Sequence, residues 1–139
     1  DISPAEYRAG ALTRRGRTAV RVWLETPRVF AAAPATAAGR APRLSEEGQE
    51  RLNAAIAPYL EHVTDLVVVI EGFAQIQGRD QQFLLSRARG AAVRDYLLGQ
   101  FHLDPGAVGV MPLGNESPGS PRSQPWDGIA LAFFLPSAD

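Results

Sequence analysis

The chain of 139 residues has no cysteine, no lysine and only two histidines. Without cysteine there is no disulfide framework, no thiol nucleophile and no zinc site built on thiolates. Without lysine every basic side chain is an arginine, whose planar fork suits carboxylate and phosphate partners. A net charge of −1 supplies no broad field to steer the chain toward nucleic acid or acidic lipid. The apolar run around Val67 falls far short of the roughly 20 residues that cross a bilayer, so no membrane span is expected. No signal peptide is visible and the chain begins at Asp1 rather than methionine, so it reads as an excised or processed piece. Catalytic groups are equally scarce. His62 and His102 are expected near helix ends, where their charge would be favourable. Ser86 has no histidine at helical spacing and is expected to bond a carbonyl one turn back. No spacing suits a metal and no glycine loop suits a phosphate. The sequence argues against an enzyme and calls for no cofactor.

What is present suits one globular domain with a real core: apolar residues make up 45% and charged residues 21%. Residues 1–18 read as an N-terminal arm or short helix, a solvated lead-in with Arg8, Arg14, Arg15 and Arg17. From Ala19, the apolar residues Val20, Val22 and Leu24 alternate with Arg21, Trp23 and Glu25, the period of a half-buried strand. Pro27 ends that strand or places it at an edge. Ala31 to Pro42 reads as a loop. Ser45 suits an N-cap, Glu46 and Glu47 suit a first turn, and apolar residues at helical spacing predict a helix to His62. Pro58 predicts a kink in it between Ala54 and Pro58.

Leu66 to Ile70 is the continuous β-branched run of a strand buried on both faces. A loop with Gly72 and Gly78 follows, then a helix from Asp80 or Gln81 to Gly99. Val108 to Leu113 and Ile129 to Leu135 read as further strands, separated by a long polar loop from Gly114 to Pro125. The order β-α-β-α-β-β predicts an α+β two-layer sandwich, with two helices packed on one face of a small mixed sheet. Strands joined through helices should be parallel, and the last can run antiparallel.

One residue breaks the pattern. Leu85, Arg89, Val93 and Leu97 are spaced by four and stack along one side of the second helix. An arginine on such a row needs an answering acceptor, because an unpaired buried ion costs several kcal/mol. Three kinds of partner are open: an internal carboxylate such as Glu71 or Asp127, a backbone carbonyl between Gly72 and Gly78, or a ligand carboxylate held by the guanidinium fork.

The run IEGFAQIQG followed by LSRARGAAVRDYL resembles the C-terminal domain of the OmpA-like (OmpA/MotB) family. Gly72 matches the glycine of the family's Gly-His-Thr-Asp motif and Gly78 its loop glycine. Leu85-Ser86 matches its helix pair, and Arg89 its arginine. Gly114 and Pro118 match a later glycine–proline element. The resemblance covers roughly residues 19–135, and 19–139 is taken as the OmpA-like domain. It implies an extracytoplasmic setting in a bacterial cell envelope and peptidoglycan as partner. In such domains an aspartate takes the ligand's ammonium and the arginine takes its carboxylate.

The match is incomplete. Phe73, Ala74 and Gln75 stand where the family has His, Thr and Asp, and Gln82 stands at its asparagine. Trp126-Asp127-Gly128 replaces its Asn-Arg-Arg, and Gly90 replaces the alanine after the arginine. The candidate ligand-binding set is Arg89, Gln75, Phe73, Gly78, Gln82 and Asp80, with Asp80 or Glu71 as substitutes for the lost acid. Two functions follow from this sequence. One is an envelope module with a degenerate peptidoglycan site, binding wall weakly or in altered form. The other is a structural or protein-interaction domain that has lost the ligand and binds an envelope protein, with the Ala31 to Pro42 loop and the long loop with Trp126 as its candidate surfaces; an exposed Trp126 would suit an anchor, and a Trp126 packed at the start of a strand would not. Nucleic acid is excluded as a partner by the scattered arginines and neutral charge.

Overall fold

A computed structural model describes residues 3–8, 10, 17–32, 42–60, 65–116, 120–121 and 124–136. Most of the Ala/Pro loop, His62 and Pro118 lie outside the described residues. The elements in chain order are α1 (Pro4–Arg8), β1 (Arg17–Glu25), α2 (Thr26–Val29), α3 (Glu46–Leu60), β2 (Val67–Phe73), α4 (Arg79–Gln100), β3 (Val108–Pro112) and β4 (Gly128–Pro136). A single 3-10 turn at Pro105–Ala107 leads into β3. No helix among the described residues is long and apolar enough to cross a membrane.

The four strands form one mixed sheet in the order β1-β4-β2-β3. β2 and β3, joined through α4, are parallel, while β4 runs antiparallel to both β1 and β2. This is the α+β arrangement expected from the sequence, with the short α1 and α2 added. β4 is inserted between β1 and β2, so its residues are covered on both faces. Ile129, Leu131 and Phe133 join the core under α3 and α4, and Ala130, Ala132 and Phe134 face the other way.

Local chemistry accounts for the helices. Ser45 Oγ accepts the Gly48 N–H at 3.0 Å, capping α3 as its position before Glu46 and Glu47 suggests. Pro27 falls in the first turn of α2, where a missing N–H costs least. Tyr59 of α3 stacks on Phe133 with ring centroids 4.4 Å apart, and the Tyr96 hydroxyl of α4 donates to Asn53 of α3 at 2.7 Å. These contacts bind the two long helices to the sheet and to each other.

Two glycines set how closely α4 approaches the sheet. A Cβ on Gly72 would lie 2.0 Å from the Ser86 carbonyl oxygen, and one on Gly90 would lie 2.5 Å from Val110 Cγ1. Gly90 is thus matched to the side chain on β3 beneath it. Ser86 Oγ donates to the Phe83 carbonyl at 3.0 Å, the turn-back bond expected of it, and accepts the Gly114 N–H at 3.3 Å.

The sheet face away from α3 and α4 is also buried. Tyr7, in the stretch expected to be a solvated lead-in, is only 7% exposed and packs edge-on against Phe134.

Alanine substitutions test the close approach of α4. Gly90→Ala is expected to cost about 1–3 kcal/mol, the usual range for overpacking, because only a side-chain methyl must give way. Gly72→Ala should cost more, because the obstacle is backbone. Denaturant melts of the two variants check the order.

Candidate functional site

β2 ends at Phe73, and the chain then turns away from the sheet through Ala74–Gly78 into α4. The turn is fixed at both ends. Ala74 N–H donates to Gly114 O at 2.7 Å, and Gln82 N–H donates to Gly78 O at 2.9 Å. Gly78 has φ of 93°, a conformation that glycine adopts without a steric penalty. Arg89, almost three turns into α4, faces this turn from the helix side.

The Arg89 guanidinium is nearly buried. Its Nη1 donates to the Phe73 carbonyl at 2.8 Å and to Asp127 Oδ1 at 2.8 Å. Two of the open possibilities are therefore realised together, a backbone carbonyl and an internal carboxylate. The Arg89 side chain is 10% exposed and that of Asp127 41%, so the pair sits at the rim of the fold with its acidic side toward solvent.

Asp127 collects more than the arginine. Its Oδ1 also accepts the Gln75 N–H at 3.0 Å, and its Oδ2 accepts the Thr26 hydroxyl at 2.9 Å. A guanidinium, a backbone amide and a hydroxyl converge on one carboxylate. Burial alone would raise the Asp127 pKa. The hydrogen bonds from Arg89, Gln75 and Thr26, with the charge of Arg89, outweigh it and hold the carboxyl below its ordinary range.

The other candidates take separate places. Gln75 donates through Nε2 to the Asn115 and Trp126 carbonyls at 3.2 and 2.9 Å. Its side chain is spent on loop backbone and only its N–H serves the carboxylate. Phe73 contributes its carbonyl, while its ring is buried and stacked on Trp23 at 5.5 Å. Gln82 Nε2 donates to the Ile76 carbonyl at 2.7 Å and ties the turn to α4. Gly78 is the N-cap residue, and Asp80 is an exposed acid in the first turn of α4. Thr26 went unremarked in the sequence, and no local signal could mark it, since it bonds a residue 101 positions away.

Neither substitute acid reaches Arg89. Glu71 points through the opposite face of the sheet, where it is 2% exposed. There it accepts the Tyr7 hydroxyl and the Arg21 guanidinium, whose Nε and Nη2 lie 3.0–3.1 Å from its oxygens. Burial, followed by the charge of Glu71 and the hydrogen bond to it, pushes the Tyr7 phenol well above its usual range, and Arg21 pulls the other way. Trp126 is half-buried rather than a free anchor. Its indole ring lies edge-on to Trp23 at 5.4 Å, and its N–H donates to the Leu24 and Ile129 carbonyls at 3.3 and 3.0 Å.

No protein-family model and no curated protein matches the sequence. Solved structures match the fold. The periplasmic domain of Helicobacter pylori MotB superposes with a TM-score of 0.59 at 13% identity, covering 88% of this chain and 84% of that one. A shorter C-terminal domain of the same protein gives 0.55 at 15% identity, with 81% and 84% covered. The OmpA-like domain of FopA1 from Francisella tularensis gives 0.52 at 22% identity, with 88% and 82% covered. At these identities the likeness is one of fold, and the fold is that of an OmpA-like C-terminal domain.

The depressed Asp127 pKa sets a pH dependence. The carboxyl ionises at lower pH in the folded chain than in the unfolded one. Its contribution is therefore complete above about pH 4 and fades as the pH falls through the folded value. Asp127→Asn is expected to cost about 1–2 kcal/mol at neutral pH, discounted for the partial exposure of the group. In urea melts at acid pH the gap between native chain and variant should shrink.

Proposed function

We propose that this chain is an OmpA-like cell-envelope module whose peptidoglycan site is degenerate, its arginine being engaged in cis by Asp127. The observation that carries the reading is the 2.8 Å contact between Arg89 and Asp127. A ligand carboxylate arriving at Arg89 must displace a carboxylate that is already bound by three donors and tethered to the fold. Such a competitor needs no translational entropy to bind, so the free ligand is at a disadvantage. The missing acid adds to this. Gln75 offers no charge to a ligand ammonium, and its amide hydrogens are already used. Losing a charge-assisted hydrogen bond costs about 1.5–3 kcal/mol, and each 1.4 kcal/mol is a tenfold loss of affinity.

The fold shared with a MotB periplasmic domain supports an extracytoplasmic setting. Within it the module works chiefly by its shape and surface, with weak or altered wall binding. A structural domain that has given up the ligand would carry the same occupied arginine. Its partner surface would then lie elsewhere than Trp126, whose indole packs on Trp23 and whose N–H is taken by backbone.

Retention on purified peptidoglycan separates an occupied site from an open one. The native chain is expected to be retained no better than Arg89→Ala. Asp127→Ala empties the carboxylate position while leaving Arg89 and the Gln75 N–H in place. It should gain retention, and millimolar acetate should raise its melting temperature but not that of the native chain. Strong retention of the native chain, lost in Arg89→Ala, would refute the reading.

A further inference from the structure

Glu71 sits in the middle of an otherwise apolar sheet face. Val69 and Phe73 flank it along β2, and its cross-strand neighbours are Met111 on β3 and Ala130 on β4. Taking a carboxylate out of water here costs several kcal/mol before its partners repay it. A well-packed aliphatic of similar volume would hold a permanent cover at least as well. Glu71 therefore suits a cover that comes and goes.

Its partners divide accordingly. Arg21 belongs to β1 and is fixed by the sheet; its side chain is 37% exposed, so it faces both the acid and water. Tyr7 belongs to α1, a helix of five residues. A helix that short has no stability of its own. Tyr7 is the buried residue among the described side chains of α1, through its ring on Phe134 and its hydroxyl on Glu71.

We propose that α1 is a latch that closes over this sheet face and opens as a unit while the sheet stays folded. Closed, the Tyr7 hydroxyl completes the hydrogen bonding of Glu71. Open, water takes the place of the hydroxyl and Arg21 still holds the charge, so release strands no ion in an apolar setting. Opening withdraws the Tyr7 ring from a surface of Val69, Phe73, Met111 and Phe134 centred on a carboxylate–guanidinium pair. The Arg89 site lies on the other side of the sheet and meets this surface at Phe73, whose carbonyl holds Arg89 and whose ring lies here.

Hydrogen exchange on the whole chain tests the latch. The Tyr7 and Gly10 amides, bonded to the Ser3 and Tyr7 carbonyls, report α1; the Val69 and Ile70 amides report the sheet. The α1 amides are expected to exchange through an opening with a much smaller denaturant dependence than global unfolding, while the sheet amides follow global unfolding. Tyr7→Phe keeps the ring and removes the hydroxyl. It should speed α1 exchange about 10- to 100-fold and change the sheet amides far less. Glu71→Gln should act in the same direction. Equal acceleration of both sets, a shared denaturant dependence, or α1 amides unprotected in the native chain would each overturn the proposal.

Discussion

The contact between Arg89 and Asp127 pins α4 to the corner where the end of β2 pairs with the start of β4. One guanidinium hydrogen-bonds the carbonyl at the end of β2 and the carboxylate just before β4, and that carboxylate reaches the start of α2 and the turn before α4. Without the Asp127 carboxylate, Arg89, the Gln75 N–H and the Thr26 hydroxyl lose the acceptor they share. The arginine is nearly buried while its acid stays at the rim. The geometry satisfies the buried partner and leaves to water the group that water can serve. This is why a charge can stand on an apolar helical row without the full penalty of burial.

The same fold places a second charged group on the opposite face of the sheet, and the two differ in kind. Asp127 is fixed by three donors, from α4, the start of α2 and the turn before α4. Glu71 is shared between a strand and a five-residue helix. The first arrangement ties α4, the turn before it and the start of α2 to one carboxylate. The second leaves one side of the sheet dependent on a segment with little hold of its own.

Much of the architecture was legible in the sequence. The order of strands and helices, the Ser45 cap, the buried run in β2 and the spacing of α4 all rest on local periodicity, which survives folding because neighbours on one face stay neighbours. Arg89 was legible for the same reason: it interrupts a row. Its need for an acceptor could be stated, and both kinds of internal acceptor were named. Choosing among them could not be done locally. Asp127 lies 38 residues from Arg89, and Tyr7 lies 64 from Glu71. The lead-in reads as solvated because one tyrosine among small and basic residues sets no period.

Sequence by itself determined which segments would be strands or helices and that one helix would carry a cation needing a counter-charge, since both follow from side-chain spacing along a single element. Tertiary structure alone decided which acid answers it. Inserting β4 between β1 and β2 delivers Asp127 to the rim beside α4, while the pleat of β2 turns Glu71 through the other face. In a strand, adjacent residues point to opposite sides. Which side meets the helix is fixed only when the whole sheet packs.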